Sequence, residues 1–341
     1  MKSKLYKFRS AITVLLILSI LTGLVACKEK QNPEDTFSGE NPFSSDFTNS
    51  EDVMFAYGFG IISPAAEETI KYDGEPIEIE YYIDNVGATM SSGMSIFVNG
   101  IPQAYRVEDS KEETYMYITE VPEKTIKRIK ISLIPVTGVK GEILNIRFIS
   151  ILNPQIRPNK LEYLFAHTNS MTTFLPRKLQ MLKSSPTKNN KTYKTLPPQR
   201  EMTKEELDKV IYIDSKGNQV DKFRRFNMSV TDAENHNQSY IVNSNGELNI
   251  LMQSYGGPEE KYLIIPYINH IEFSSDMFPS ILSIKSGHNL FEENFSININ
   301  NIDKTKYKIK EFNTFYILAI PLSGSSEADP VISESLVFKG E

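Results

Sequence analysis

Short apolar segments with a period of two restrict most strongly how this chain can fold. The segment IEIEYYID at 77–84 places its isoleucines and Tyr81 on one face and mostly polar residues on the other. Segments 94–98, 129–133 and 144–148 repeat the pattern, and turn pairs such as Asn99-Gly100 separate them. Strands of a parallel α/β sheet would be continuously apolar and would alternate with helices. The pattern therefore predicts a mainly β fold built from antiparallel sandwiches.

A second set of strand patterns lies in the C-terminal part of the chain. Residues 239–242 and 247–252 flank Asn245-Gly246, which predicts a hairpin. Thr203 and Glu206 fit a capping box, which predicts a short helix to about Ile211. We therefore expect two antiparallel immunoglobulin-like β-sandwich modules, over 51–156 and 204–341.

A weak internal similarity accompanies the two modules. ISLIPVTG at 131–138 and ILAIPLSG at 317–324 read alike. Either two related modules or a chance likeness between apolar strands would explain this.

The segment 157–203 interrupts the strand pattern, and we interpret it as a basic linker between the modules. From Tyr163 to Arg200 it contains seven lysines and arginines and no acidic residue. Pro186, Pro197 and Pro198 argue against regular structure in its second half. Its charge either balances the acidic modules in solution or contacts an anionic surface, such as lipid headgroups or an acidic wall polymer.

The N-terminus has the composition of an export signal. Four basic residues within the first nine precede an apolar run from Ala11 to Leu21, which is too short to cross a bilayer comfortably. The run ends in Leu24-Val25-Ala26-Cys27, and Cys27 is the single cysteine of the 341-residue chain. A single cysteine excludes an intramolecular disulfide and a cysteine-rich zinc site.

These residues resemble the signal peptide and lipobox of bacterial lipoproteins. The resemblance implies cleavage after residue 26 and lipidation of Cys27, which would become the first residue of the mature protein. Cleavage would remove four positive charges and change the formal net charge from −6 to −10. An acidic protein of this kind is not expected to bind nucleic acid. Residues 27–50 are polar and show no periodicity, which predicts a flexible tether between the lipid and the first module.

Residues with catalytic or metal-binding potential are few and scattered. The chain has no G-x-S-x-G, H-E-x-x-H, Walker or G-x-G-x-x-G motif. His270 and Glu272 would share a strand face, and Ser286-Gly287-His288 would place a hydroxyl beside an imidazole, but neither spacing is diagnostic. The segment 214–221 resembles a calcium loop only in part, and we interpret it as a turn. Five tyrosines of the first module could form a binding platform or pack within the sheets: Tyr81, Tyr82, Tyr105, Tyr115 and Tyr117.

The sequence thus predicts a protein attached to the outer face of the cell membrane by the acylated Cys27. We expect a non-catalytic binding or scaffold role there, without cofactor or metal. The partner would be an envelope protein or an anionic wall polymer. Two alternatives remain open: an envelope carbohydrate-active hydrolase that uses a carboxylate pair, and a solute-binding protein of a transporter. The latter normally has two α/β lobes.

Overall fold

The computed structural model describes residues 57–65, 68–161, 172–187, 192–213, 219–220, 222–234, 240–241, 246–323 and 328–340. The fold is mainly β, with two immunoglobulin-like sandwich modules as the sequence predicted, and both lie within one compact unit. We name residues 57–181 the N-module and residues 194–340 the C-module. The signal peptide, the lipobox with Cys27 and the tether lie outside the described residues.

Two sheets enclose the core of the N-module. The first contains, in spatial order, β1 (Tyr57–Ser63), β3 (Ile77–Asn85), β8 (Thr125–Leu133) and β6 (Arg106–Val107). The second contains β2 (Ile70–Tyr72), β10 (Thr172–Met181), β9 (Ile143–Leu152), β4 (Met90–Val98) and β5 (Ile101–Gln103), with β7 (Tyr117–Val121) also paired to β4. The inward side chains of β3, which alternate as the sequence predicted, pack against β9 in this core.

The C-module has the same arrangement. Its first sheet contains β12 (Arg200–Glu201), β21 (Asn289–Asn298), β17 (Glu247–Tyr255) and β15 (Asn227–Asp232). Its second contains β11 (Lys194–Thr195), β20 (Ser280–Ile284), β18 (Glu260–Ile268), β22 (Phe312–Pro321), β24 (Leu336–Lys339) and β16 (Tyr240–Ile241). Two short strands pair with this second sheet, β19 (Ile271–Glu272) with β18 and β23 (Val331–Ile332) with β22.

Short elements connect or cap these sheets. Helix α1 (Lys204–Val210) has the predicted capping box between Thr203 and Glu206 and ends at its C-cap, Ile211. A small hairpin joins β13 (Tyr212–Ile213) and β14 (Gln219–Val220), and single 3₁₀ turns cover Lys222–Arg224 and Ile299–Asn301. In the calcium-like segment 214–221, the structure describes only Gln219 and Val220, which form β14.

Strand pairing shows that the modules are structural repeats. In the N-module β3 pairs with β8, β4 with β9 and β9 with β10, and β2 joins β10 in parallel. In the C-module β17 pairs with β21, β18 with β22 and β22 with β24, and β16 joins β24 in parallel. The similar segments 131–138 and 317–324 begin in β8 and β22, which are not equivalent strands. The strand of the C-module that corresponds to β8 is β21, because β8 pairs with β3 as β21 pairs with β17.

The interpretation of 157–203 as a linker is wrong for much of its length. Strand β10 lies inside this segment and pairs with β9 from Thr172 to Gln180. Leu179 and Met181 alternate with outward polar residues and belong to the N-module core. Strand β11 pairs with β20 in the second sheet of the C-module, and β12 pairs with β21 in the first sheet. Leu196, between these two strands, is buried in the C-module core. The prolines and the basic charge concealed these short alternations in the sequence.

The predicted hairpin around Asn245-Gly246 is also wrong. Strand β16 pairs in parallel with β24, whereas β17 lies between β15 and β21 in the opposite sheet. Gly246 has the positive φ that the turn signal implied, at 74°. The chain therefore crosses here from one sheet to the other instead of folding back on the same strand.

Candidate functional site

The two modules pack through the outer faces of their second sheets. Strands β4 and β9 of the N-module contribute one side of this contact, and β18 and β22 of the C-module contribute the other. The fully or nearly fully buried residues of the contact are Phe97, Ile149, Ile151, Leu263, Ile265, Tyr267, Tyr316, Leu318 and Ile320. These strands are consequently buried on both faces, which explains why β18 and β22 are apolar almost throughout instead of alternating.

Equivalent tight turns lie at the ends of β4 and β18. Asn99 and Gly100 have φ values of 46° and 77°, and Asn269 and His270 have values of 51° and 65°. In each turn the asparagine N–H donates to the neighbouring strand, to Asn145 O or Thr314 O, over 2.8 and 2.9 Å. The side-chain oxygen of each asparagine accepts from the backbone N–H of that same partner residue. The turns are thus the same local structure, with glycine in one and histidine in the other.

The Gly100 turn packs closely against the C-module. A Cβ atom at Gly100 would lie 2.6 Å from Leu322 Cδ2 and 3.3 Å from Pro321 O. Polar bonds fasten the same side of the contact, because Asn145 Nδ2 donates to Ser323 O over 3.2 Å and Arg147 Nη2 donates to Ala328 O over 3.0 Å. Glycine is therefore favoured at this turn both by its positive φ and by the close approach of the other module.

The His270 turn instead borders a cleft of about 420 Å³ between the modules. Its N-module wall includes Phe97, Pro102, Thr114, Tyr115 and Met116. Its C-module wall includes Tyr267, His270, Ile271, Glu272 and Lys306. The volume lies within the range of small-ligand sites, and a lining of aromatic and apolar groups with a few polar ones is typical of such sites.

His270 is held in an unusual environment. The side chain is buried, with 5% exposure, and its backbone adopts the left-handed conformation that non-glycine residues occupy at a cost of about 1–2 kcal/mol. Nδ1 lies 3.1 Å from the Tyr316 hydroxyl, whereas Nε2 has no hydrogen-bond partner among the described residues. An unmade bond of a buried polar atom destabilises a fold by about 1–3 kcal/mol. Backbone strain combined with an unsatisfied polar atom is the kind of outlier that occurs at binding sites.

Burial keeps the aromatic groups around this turn uncharged. Burial, and to a smaller extent the positive charge of Arg157, lowers the pKa of His270 to about 4. Burial also raises the pKa of the Tyr267 and Tyr316 hydroxyls above the usual value, and the rings of these two tyrosines stack with centroids 5.1 Å apart. At neutral pH the imidazole of His270 and the two phenols are therefore neutral, and the side chains of Glu272 and Lys306 lie elsewhere on the wall of the cleft.

Two larger hollows each lie on a single module. One of about 720 Å³ is lined by residues such as Thr69, Asp73 and Glu75 of the N-module, and one of about 610 Å³ by residues such as Ser275, Asn301 and Asp303 of the C-module. Neither is lined by a non-glycine residue of positive φ or by a buried side-chain atom without a hydrogen-bond partner, whereas the intermodule cleft has both in His270. The intermodule cleft is therefore the candidate site.

The other residues singled out from the sequence are dispersed. His270 and Glu272 both border the cleft, although His270 lies in the turn and not on the strand. His288 is exposed, its ring 4.5 Å from that of Phe223, and His167 and His236 lie outside the described residues. The five tyrosines do not form a platform. Tyr81 and Tyr105 are buried in the N-module core, Tyr82 and Tyr117 are half-buried, and Tyr115 alone of the five lines the cleft.

Within the described ranges, no group of three or more histidine, cysteine or acidic side chains is arranged to hold a metal ion. Among the same residues, no helix is long and apolar enough to span a bilayer.

Sequence reasoning missed the contact between the modules and therefore missed the cleft. A usable signal was present, because β18 and β22 are too apolar for strands with one solvated face. A second signal was the spacing of the repeat, since Asn99-Gly100 and Asn269-His270 are each preceded by two nine-residue strands.

Comparisons with known proteins add little to this site. No protein-family model matches the chain, and no curated protein matches it. Solved structures to which it is similar include the E. coli chaperone DraB, at 6% identity and a TM-score of 0.23, covering 84% of this chain and 96% of that one. The CsuC–CsuE chaperone–tip adhesion subunit complex of Acinetobacter baumannii matches at 11% identity and 0.21, covering 84% and 100%. A protein of unknown function from Porphyromonas gingivalis W83 matches at 7% and 0.23, covering 83% and 99%. At these scores the likeness carries no functional assignment.

Proposed function

We propose that this protein is a lipid-anchored, non-catalytic binding protein at the outer face of the bacterial cell membrane, and that its partner occupies the cleft beside His270. The observation that carries the binding role is the asymmetry between two equivalent turns. The Gly100 turn closes onto the opposite module, whereas the His270 turn borders a cavity and keeps a strained, buried imidazole with an unpartnered Nε2.

The lining of the cleft favours binding over catalysis. Nδ1 of His270 interacts with a tyrosine hydroxyl and not with a carboxylate, and its depressed pKa keeps it neutral, so it offers hydrogen bonding without a charge. Aromatic and apolar groups from both modules surround it. A partner with an apolar or aromatic group and an adjacent hydrogen-bonding atom fits this chemistry.

The anchoring part of the proposal rests on Leu24-Val25-Ala26-Cys27. Cys27→Ser is expected to abolish labelling by a palmitate analogue in the producing cell and to release the protein from the membrane fraction. The released variant should keep the circular dichroism spectrum and melting temperature of a soluble chain that begins at Lys28. Retention of the unlabelled variant on membranes would contradict lipid anchoring through Cys27.

Site-specific photo-crosslinking tests the binding role. A photoreactive phenylalanine analogue replaces Tyr115, which lines the cleft and is exposed, and in a matched control it replaces Ile126, which is exposed on the N-module away from the cleft. Crosslinking in intact cells should give a discrete adduct from position 115 that position 126 does not give. Identical adducts from both positions, or none from position 115, would exclude the cleft as the binding site.

The hydrolase alternative is tested on the same protein. Wall polymer and soluble glycan fragments are incubated with the chain that begins at Lys28 and with its Glu272→Gln variant. We expect no turnover by either. Cleavage that depends on Glu272 would replace the binding proposal with a carboxylate-dependent hydrolase. The solute-binding alternative normally requires two α/β lobes, and the mainly β fold does not match that architecture.

A further inference from the structure

An arginine lies near each end of the contact between the modules, and the two arginines differ in their surroundings. Arg147 of β9 is buried at the Gly100 end, where its Nη2 donates to Ala328 O over 3.0 Å. Burial lowers the pKa of its guanidinium, and the negative charges of Asp329 and Glu260 partly offset this effect. The C-module therefore supplies both a hydrogen-bond acceptor and opposite charge to this arginine.

Arg157, in the loop after β9, has no opposite charge of this kind among the described residues. The side chain is half-buried, and burial alone lowers the pKa of its guanidinium. Its Nη1 atom is buried and has no hydrogen-bond partner within the described ranges. A buried charge without a partner is strongly destabilising. The positive charge of Arg157 acts on His270, so this arginine belongs to the other end of the contact, beside the cleft.

The path of the chain also brings the loop after β9 to the cleft. A Cβ atom at Gly93 would lie 3.1 Å from Pro154 Cγ and 3.6 Å from Met116 Sδ. Pro154 belongs to the loop that carries Arg157, and Met116 lines the cleft. This loop is equivalent to the one that carries Ala328, because β9 pairs with β4 as β22 pairs with β18. The loop with Arg157 therefore starts at the N-module wall of the cleft.

The imidazole of His270 offers a hydrogen-bond donor near this guanidinium. The Tyr316 hydroxyl has no other acceptor among the described residues, so its proton is assigned to the bond with Nδ1. The proton of the neutral ring is then on Nε2, which is buried and has no hydrogen-bond partner in the part of the chain that the structure describes. The His270 end of the contact thus has two buried N–H donors, one neutral and one cationic, for which the described residues supply no acceptor.

We propose that the cleft binds its ligand through a carboxylate group, held between the guanidinium of Arg157 and Nε2 of His270. A carboxylate accepts hydrogen bonds on two oxygens and carries the single negative charge that one guanidinium balances. The aromatic or apolar remainder of the ligand would lie between Met116 of the N-module wall and Tyr267 of the C-module wall. This inference rests on the proposed binding function and names the chemical class of the bound group.

The other acidic and basic side chains of the cleft favour a singly charged group. Glu272 and Lys306 contribute one acidic and one basic side chain to the wall, and Lys306 Nζ donates to the Tyr307 hydroxyl over 3.1 Å. These two side chains offset each other, so the charge left to balance is that of Arg157. A doubly charged phosphate would exceed this single charge and would meet too few donors.

Neighbouring groups cover both unpartnered atoms, Arg157 Nη1 and His270 Nε2. A ligand therefore reaches them only when a side chain of the cleft wall moves. Met116 is suited to such a movement, because its side chain is unbranched and has three rotatable bonds.

Nuclear magnetic resonance tests the assignment with the soluble chain that begins at Lys28. The probe is phenylacetate, and phenylacetamide, which has the same shape and no charge, is the reference ligand. The nitrogen signals of the His270 ring should shift on addition of the acid, with a dissociation constant at least about tenfold lower than that of the amide. Arg157→Gln should weaken binding of the acid at least about tenfold. The matched control Arg128→Gln, which changes an exposed arginine paired with Glu80, should leave binding unchanged.

The stability of the unliganded variants separates a binding role of Arg157 from support of the fold. Arg157→Gln removes a buried charge without a partner, so its melting temperature should equal or exceed that of the wild type. Arg147→Gln removes a compensated charge and leaves Asp329 and Glu260 without it, so it should lower the melting temperature. A loss in Arg157→Gln as large as that in Arg147→Gln would show that Arg157 supports the fold, and would overturn the proposal.

A pair of dipeptides identifies the source of the carboxylate. Acetyl-Ala-Phe carries the free carboxylate of a polypeptide C-terminus, and its C-terminal amide lacks that charge. Tighter binding of the peptide acid than of phenylacetate would support the site and assign it to a polypeptide C-terminus, and the reverse order would assign it to a small carboxylic acid. Equal binding of acid and amide in both pairs, no binding of either acid, or an equal loss in Arg128→Gln would overturn the carboxylate assignment.

The crosslink from position 115 distinguishes this failure from a failure of the binding role in the cell. A discrete adduct that persists unchanged in Arg157→Gln would overturn the carboxylate assignment and leave the cleft as a binding site. Absence of the adduct, with phenylacetate still bound beside His270, would count against the proposed function and leave the carboxylate site supported.

Discussion

The N-module and the C-module share their strand pairing, and they differ where each turn meets the other module. The start of β3 at 77 corresponds to the start of β17 at 247, and by the same shift Gly100 corresponds to His270. Glycine permits close packing at one turn, whereas histidine accompanies a cavity at the other. The comparison teaches that the turn conformation alone does not need histidine, since its counterpart forms with glycine. The strain at His270 therefore has to be explained by the environment of its side chain.

A second difference concerns how the first sheet of each module is completed. In the N-module the edge strand next to β8 is β6, which follows β5 along the chain. In the C-module the equivalent place beside β21 is taken by β12, which precedes the rest of the module. Residues just after the N-module therefore belong structurally to the C-module. This arrangement places the boundary between the modules after β10, and not at residues 157 or 204.

The largest expected effect comes from a charge placed in the contact between the modules. Ile149→Asp would bury a carboxylate at a fully buried position, which should destabilise the packed protein by about 4 kcal/mol or more. The control Ile126→Asp changes an exposed residue on β8 and should have little effect. Thermal unfolding and small-angle X-ray scattering measure the outcome. A variant with the melting temperature and radius of gyration of the wild type would show that the contact does not hold the modules together.

The sequence predicted many strands of both modules, including the segments 94–98 and 144–148 that correspond to β4 and β9. Residues 77–84 alternate as β3 does, and the capping box at Thr203 begins the helix where expected. What the sequence did not predict is that β4, β9, β18 and β22 are covered on both faces, because the second covering is another module distant in sequence. The cleft escaped prediction for the same reason. The chain position of His270 says nothing about the N-module residues opposite it, and Asn269-His270 is not a usual turn pair.

A change of pH should affect the His270 turn and leave the Gly100 turn unaffected. The folded pKa of His270, about 4, lies below the unfolded value near 6.5, so the unfolded chain binds the proton more readily between these values. The stabilisation by neutral His270 is complete above about pH 6.5 and is lost as the pH falls towards 4, by about 3 kcal/mol at most.

Denaturant unfolding at pH 7 and pH 5 measures this contribution. His270→Asn keeps a residue type that tolerates left-handed φ and should remove part of the difference in stability between the two pH values. The exposed His288, replaced in the control His288→Asn, should leave that difference intact. An unchanged pH dependence in His270→Asn would mean that the imidazole is not the group that titrates.

The smallest of these effects separates backbone strain from close packing at the turns. Gly100→Ala adds a Cβ that meets Leu322 and has an unfavourable φ of 77°, whereas Gly141→Ala has an unfavourable φ of 94° with no atom within 4 Å. We expect Gly100→Ala to destabilise the protein by about 2–3 kcal/mol and Gly141→Ala by about 1–2 kcal/mol. Gly58→Ala, which has neither problem, should lie close to the wild type in chemical denaturation. Equal losses at Gly100 and Gly141 would mean that the Gly100 turn is not closed against the C-module, and the asymmetry from which the cleft is inferred would disappear.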